Sequence, residues 1–293
     1  MIAEPAELSA SLGELLDTLA GQGLIAVHSR HAAGADEIIC ENAEAADWPK
    51  YRATLEAHLP PADVLIADHP PLVPGLFVSD MDSTMIGQEC IDELADFAGL
   101  KPQVTAITER AMQGELDFAA ALRERVALLA GLDEVAIAQC LAERIRPMPG
   151  AQTLVATLKS LGCHTVLVTG GFHQFADPVA AQLGFERVVA NRLEIAGGKL
   201  TGRVTGAIVD GRVKRAVLEQ EALRLSISQA SGRSSLATGD GANDIPMLEA
   251  ACYGIAYRAK PKARAAAHGW IDRGDLRQVL HLLGIPDHAW VKC

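Results

Sequence analysis

The 293-residue chain has few aromatics, at 4 %, which argues against a sugar platform or a base-stacking surface. It has no excess of basic residues. Lys and Arg total 26 against 37 Asp and Glu, a formal net charge of −11. A field of that sign does not grip nucleic acid or anionic lipid, so neither is an expected partner. A small anionic ligand remains open, but only at a locally arranged site. No run of 18 apolar residues occurs, so no membrane span is expected. The first residues, Met-Ile-Ala-Glu-Pro-Ala-Glu, place acids where a secretory signal has bases. Cysteines at 40, 90, 140, 163, 252 and 293 form no Cys-x-x-Cys pair. Neither a zinc site nor a disulfide framework is indicated, and the cytoplasm is the expected setting. No internal repeat or low-complexity tract is present.

What the chain does have is the makeup of a globular protein, with 49 % hydrophobic and 22 % charged residues. At about 150 residues per domain, the length suggests two domains. The first seventy residues read helix (Glu7 to Leu19), strand (Leu24 to His28), strand (Glu37 to Cys40), helix (Trp48 to Leu59), strand (Asp63 to Ala67). Ala32-Ala33-Gly34-Ala35-Asp36 would connect the first two strands as a hairpin. Pro70, Pro71 and Pro74 resist helix and sheet alike, so a boundary is set near residue 73. Two units follow: a small α+β domain over 1–72 and a larger one over 73–293.

The larger unit opens with a short strand, Leu76-Phe77-Val78. From about Cys90 to Ile145 only helical periodicity is found, over 90–98, 102–113, 117–130 and 133–145, with breaks at Gly99, Gly114 and Gly131. Beyond Pro149 helices and strands alternate. Helix 151–161 precedes strand Thr165–Thr169, helix 175–183 and strand Arg187–Val189. A hairpin-like stretch over 191–208 leads to helix 213–224 and strand Ser235–Thr238. Helix 243–251, strand Gly254–Tyr257 and helix 275–283 complete the chain. Such alternation implies an α/β fold, a parallel sheet with helices on both faces. Ligands on such sheets sit at the carboxyl ends of the strands.

Those ends carry the informative residues. The first strand runs into Asp80-Met81-Asp82-Ser83-Thr84. Side chains alternate along extended backbone, so Asp80 and Asp82 share a side. Two ionised carboxylates that close need a cation or a proton between them, and Mg²⁺ suits an oxygen site beside phosphate. An Asp-rich turn capping the next helix would look the same. A second strand ends in Thr169-Gly170-Gly171, whose backbone N–H groups could meet an anion or merely form a tight turn. Lys214 stands near a helix start, where a lone lysine is usually solvated. A third strand ends in Gly239-Asp240-Gly241-Ala242-Asn243-Asp244. Asp240 could complete a metal site with Asp80 and Asp82, Asn243 could cap a helix, and Asp244 could orient a lysine. Taken together in this order, the four segments supply a nucleophile, a metal site, an oxyanion cradle and a neutralising cation. Phosphoryl transfer needs those parts, because its catalysis is mostly positioning and charge stabilisation.

These four segments resemble the motifs of the haloacid dehalogenase-like phosphatases, and the likeness covers about residues 75–290. The resemblance implies a Rossmann-like sheet with an inserted helical cap, here about 87–148. Asp82 through Glu89, Met112, Phe118, Leu122 through Val126 and Gly239 through Leu248 are similar to the branch that hydrolyses O-phosphoserine at the end of serine biosynthesis. That branch implies Asp80 as the nucleophile and Asp82 as the general acid–base. It implies Mg²⁺ on the side chains of Asp80 and Asp240 and the backbone carbonyl of Asp82. Thr169, Gly170 and Lys214 would bind phosphate, with Asn243 on the same side. Glu89 would pair with the substrate ammonium and Arg125 with its carboxylate, which a guanidinium fork suits. Thr169 stands where the family most often has serine; the hydroxyl survives. The alternatives kept are a phosphatase for another small phosphomonoester, a phosphotransferase, and a slowly turning phospho-acceptor domain. The order of elements in 1–72 looks like an ACT-type regulatory fold lacking its first strand. No motif names a ligand for it, and a homodimer is left open.

Overall fold

A computed structural model describes residues 5–30, 36–41, 43, 47–59, 62–112, 115–227 and 234–292. The connection expected at 32–36, save Asp36, and the break expected at Gly114 lie outside them. Helix α1 (Pro5–Gly21), strands β1 (Ile25–Arg30) and β2 (Asp36–Glu41), helix α2 (Trp48–His58) and strand β3 (Val64–Leu65) follow in the expected order. The strands β1 and β2 form a separate antiparallel pair. Leu15, Leu19 and Leu24 are buried in a small core that Ile38, Tyr51 and Leu55 help to close.

The larger unit starts with β4 (Leu76–Ser79). Four helices come next: α3 (Cys90–Asp96), α4 (Lys101–Met112), α5 (Phe118–Leu128) and α6 (Val135–Glu143). Helix α7 (Ala151–Ser160) leads into β5 (His164–Phe172), α8 (His173–Leu183), β6 (Arg187–Ala196) and β7 (Lys199–Thr205). The remainder is α9 (Gly211–Arg224), β8 (Ser235–Gly239), α10 (Ile245–Ala250), β9 (Tyr253–Tyr257), α11 (Pro261–Ala266), β10 (Gly269–Ile271) and α12 (Gln278–Leu282).

Eight strands make one sheet in the order β3-β10-β9-β8-β4-β5-β6-β7. The six inner strands run parallel, and only β3 and β7 at the edges are antiparallel. Alternation along the strands feeds two cores. Phe77, Leu167 and Leu236 face one, with α7, α8 and α12. Leu76, Val78, Val166, Val168 and Ala237 face the other, with α9 and α10. Both faces are covered, so the fully buried strands read as short apolar runs in the sequence.

Three boundaries differ from the sequence expectation. β5 runs on through Gly170 and Gly171 to Phe172, instead of turning after Thr169. The strand from Arg187 continues to Ala196 and forms the first arm of the hairpin with β7. α11 and β10 were not anticipated, and α12 is shorter than 275–283. The strand at the end of the small unit also pairs differently from the expectation. β3 does not join β1 and β2; it pairs with β10 at the edge of the large sheet. Arg52 strengthens this attachment, donating to the carbonyls of Arg264, Ala265 and Ala267 at the end of α11 while stacking 4.6 Å from the Trp270 ring. A guanidinium suits carbonyls at a helix C-terminus, which have no partner within the helix.

Helices α3 to α6 stand over the carboxyl ends of the inner strands. The two chain segments that lead into and out of them pair at Ile86 and Pro147, with the Met148 N–H donating to the Met85 carbonyl at 2.8 Å. The β6–β7 hairpin supports them from the side, since Gly131 N–H meets Leu200 O at 2.9 Å and Glu134 N–H meets Gly198 O at 3.0 Å. No helix among the described residues is long and apolar enough to cross a membrane.

Candidate active site

The backbone leaves β4 in contact with β8, the Asp80 N–H reaching Thr238 O at 2.9 Å. The carboxylate of Asp80 then turns back. Its Oδ1 accepts the Met81 N–H at 2.7 Å and the Lys214 Nζ at 2.8 Å. Lys214 lies in the first turn of α9, whose start is capped by Asp210 Oδ1 on the Val213 N–H at 3.0 Å. A cation there opposes the helix dipole, and this one is wholly buried. Two carboxylates offset that cost, because Nζ also donates to Asp244 Oδ1 at 2.7 Å. Asp244 in turn uses Oδ2 to accept the N–H groups of Asp240, at 3.1 Å, and Gly241, at 3.0 Å. It thereby fixes the loop that presents Asp240. Gly239 is required for this closeness, since a Cβ on it would lie 2.4 Å from Asp244 Cγ.

Carboxylate oxygens of Asp80, Asp240 and Asp244 lie within 4.8 Å of one another, all on buried residues. Asp244 is already occupied by three N–H donors, so Asp80 and Asp240 hold the oxygens left to a ligand. The side chain of Asp82 stands outside this trio. Burial pushes the Asp80 carboxyl up to about 7, with Asp244 adding to it and Lys214 opposing. Burial, then repulsion from Asp80, brings Asp82 to about 7 as well. Asp240 is also raised, by burial first. One lysine therefore does not balance the acids assembled here. An all-oxygen donor set with surplus negative charge fits a hard divalent cation.

The structure gathers Asp80, Asp82, Glu89, Arg125, Thr169, Gly170, Asp240 and Asn243 around one narrow cleft beneath α3–α6. Lys214 is wholly buried and meets this cleft through Asp80, whose Oδ1 it contacts at 2.8 Å. Thr169 is held by accepting the Gly171 N–H on its hydroxyl at 2.9 Å. Gly170 meets Phe118 of α5 so closely that a Cβ would fall 2.4 Å from the ring Cζ. Glu89 accepts from Ser83 Oγ at 2.7 Å, and Ser83 adopts a left-handed φ of 54° to reach it. Arg125, at 2 % exposure, faces the cleft from α5. Asn243 Oδ1 is buried without a partner among the described residues.

Sequence reading missed Asn191. Its amide donates to Gly170 O at 2.7 Å and its Oδ1 accepts the Val209 N–H at 2.9 Å, which pins the end of β5. A buried asparagine within a strand is uncommon, and that oddity was the available signal.

Glu89 gives a pH prediction. Burial first, and then the Asp82 charge, pushes its carboxyl up to about 8. Unfolded, it titrates near 4.3. Between those values the folded state holds the extra proton, so this group's contribution to stability falls as pH rises through that window. Glu89→Gln keeps an oxygen for Ser83 and cannot ionise. Without added metal, its melting temperature relative to wild type should rise from pH 6 to pH 8.5. A constant difference would show that Glu89 is already ionised at pH 6.

A doubly wound parallel sheet, a helical insert after the first strand, and clustered aspartates with a buried lysine at the strand ends define a class of hydrolases. Residues 77–249 match the family model for haloacid dehalogenase-like hydrolase, and the chain belongs to that family. It is 47 % identical over 210 residues to a phosphoserine phosphatase of Streptomyces coelicolor, covering 72 % of this chain but only 50 % of that one. To a phosphoserine phosphatase of Idiomarina loihiensis it is 46 % identical over 209 residues, 71 % of this chain and 93 % of that one. A solved phospho-aspartyl intermediate analogue of phosphoserine phosphatase superposes with a TM-score of 0.65 at 37 % identity, over 71 % of this chain and 97 % of that one.

Proposed function

We propose that the chain hydrolyses O-phosphoserine to serine and phosphate through a phosphoryl group carried on Asp80. The observation that carries this reading is the meeting, in one cleft, of the Asp80–Lys214–Asp240 acid and base cluster with Glu89 and Arg125. The first group handles a phosphate. The second pair is a guanidinium for a carboxylate and a carboxyl that an incoming ammonium would ionise, and neither suits a sugar.

In the first half-reaction, Asp80 Oδ2 attacks phosphorus while Asp82 gives its proton to the departing serine oxygen. In the second, Asp82 takes a proton from water as that water attacks the same phosphorus, and Asp80 recovers its carboxylate. Thr169 Oγ1, the Gly170 N–H and the third N–H of Lys214 hold the phosphoryl oxygens, with Asn243 beside them. Mg²⁺, held by Asp80, Asp240 and the backbone carbonyl of Asp82, would neutralise phosphate charge as a Lewis acid. Lys214 aims Asp80 and favours its ionised form, while burial lowers the lysine's own pKa and Asp244 and Asp80 together raise it by more. Residues 73–293, with the cap over about 87–148, carry this chemistry. Within 1–72 the β1–β2 pair with α1 and α2 is the part that resembles an ACT-type unit, since β3 joins the large sheet, and the cytoplasm would keep the thiols of Cys90, Cys140 and Cys163 reduced.

The direct test is phosphate release from phosphoserine, phosphothreonine and sugar phosphates, with and without Mg²⁺. Phosphoserine should lead. A sugar phosphate in first place would overturn the substrate assignment and leave the family untouched. Excess EDTA should abolish release and Mg²⁺ restore it; full activity in EDTA would remove the metal from the scheme. Arg125→Ala should raise KM for phosphoserine by about ten-fold or more, the scale of a lost charged hydrogen bond. KM for p-nitrophenyl phosphate, which has no carboxylate to lose, should move far less. Equal changes would take Arg125 out of the carboxylate site.

A further inference from the structure

Asp92 is a buried acid that the scheme above does not use. It sits on α3 at 6 % exposure, and its Oδ1 accepts the hydroxyl of Thr108, on α4, at 2.6 Å. Thr108 Oγ1 also reaches its own helix at Val104 O, 3.0 Å away, and accepts Arg125 Nη1, from α5, at 2.9 Å. Three cap helices thus meet at one hydroxyl. That hydroxyl has a single proton, and the shorter contact assigns it to the carboxylate of Asp92. Its lone pairs are left for the guanidinium. Arg125 Nε is tied to Ala121 O at 3.2 Å, so one N–H on Nε and one on Nη1 are spent on protein acceptors. The remaining N–H donors, on Nη1 and Nη2, belong to a side chain that lines the cleft.

The neutral spacer is the informative part. A carboxylate touching Arg125 directly would neutralise it and compete with any anion entering the cleft. A threonine between the two charges passes on orientation without forming an ion pair. Asp92 therefore polarises Thr108, Thr108 aims Arg125, and the guanidinium keeps its positive charge for a ligand. We infer that Thr108, oriented by Asp92, is a positioning residue that sets the preference for a phosphomonoester bearing a carboxylate. This inference rests on the phosphoserine reading and adds a determinant of its selectivity.

The test compares kcat/KM for O-phosphoserine and O-phosphoethanolamine, which share the ammonium and an alkyl leaving group and differ in the carboxylate. Thr108→Val keeps the shape and deletes the hydroxyl. It should cut the preference for phosphoserine about ten-fold, mainly through KM, with kcat changed less than about three-fold. Thr108→Ser should restore it. In an Arg125→Ala background, Thr108→Val should add nothing further, because its effect passes through that guanidinium. Should valine disturb folding, as thermal unfolding would show, Thr108→Ala makes the same deletion without added bulk. An undiminished preference in Thr108→Val, an equal loss on both substrates, or full additivity with Arg125→Ala would overturn the role of Thr108 alone. A wild-type enzyme with no preference for phosphoserine would overturn the substrate reading and this inference with it.

Discussion

Asp80→Asn is expected to lower phosphoserine turnover by about a thousand-fold or more, the scale seen when a nucleophile is deleted, and to leave the fold in place. The amide has nearly the shape of the carboxylate and can still accept the Met81 N–H. Its Nδ2 replaces the attacking oxygen, and the electron pair on that nitrogen is delocalised into the amide and does not attack phosphorus. Stability should not suffer, because burial already pushes the Asp80 carboxyl up to about 7 and a neutral group is no worse there. Lys214 keeps a partner in Asp244, 2.7 Å away. Loss of activity with an unchanged melting temperature separates a missing nucleophile from a collapsed site. A beryllium fluoride adduct on Asp80 in the wild type, absent in the variant, would locate the bond directly. Residual activity above about 1 % would mean that another group takes the phosphoryl.

Why these residues were readable from the sequence follows from sheet geometry. Strands buried on both faces are short apolar runs, and whatever polar residue follows such a run stands at its carboxyl end. Asp80, Asp82, Thr169 and Asp240 each come within a few residues of one, so local pattern and topology coincide. Lys214 has no such mark. In the chain it is one lysine near a helix start, and its burial is decided by Asp244 and Asp80, which come from two other loops. The same holds for Thr108 and Asp92, which look like ordinary helix-surface residues until three helices bring them to Arg125. Glycine signals were ambiguous in a different way. Gly170 and Gly171 suggest a turn, yet the strand continues through them with a shift in register against β6. Their bare backbone is needed because Phe118 packs on one and the Asp82 carboxylate on the other. The short β10 left no local trace, having three residues, and its pairing with β3 joins positions some two hundred apart.

Asp82→Asn should divide the two half-reactions. Burial and the neighbouring Asp80 hold the Asp82 carboxyl up to about 7, so both its protonated and ionised forms are accessible near neutral pH. Without it, serine must leave as an alkoxide, and the loss in phosphoserine turnover should be about 10² to 10⁴-fold. p-Nitrophenol is a far stronger acid than serine's hydroxyl and departs without help. Its transfer to Asp80 should survive in the variant, while attack by water on the phosphorylated aspartate still lacks a base. Rapid mixing of Asp82→Asn with p-nitrophenyl phosphate should therefore show a burst near one nitrophenolate per active site and then a slow phase. Wild type should show a smaller burst or none. If the variant loses the fast phase along with turnover, and both substrates fall alike, Asp82 does not move the proton in either step. The fault would then lie in the site's assembly, where the Oδ1 of Asp82 also accepts the Cys90 N–H at 3.3 Å.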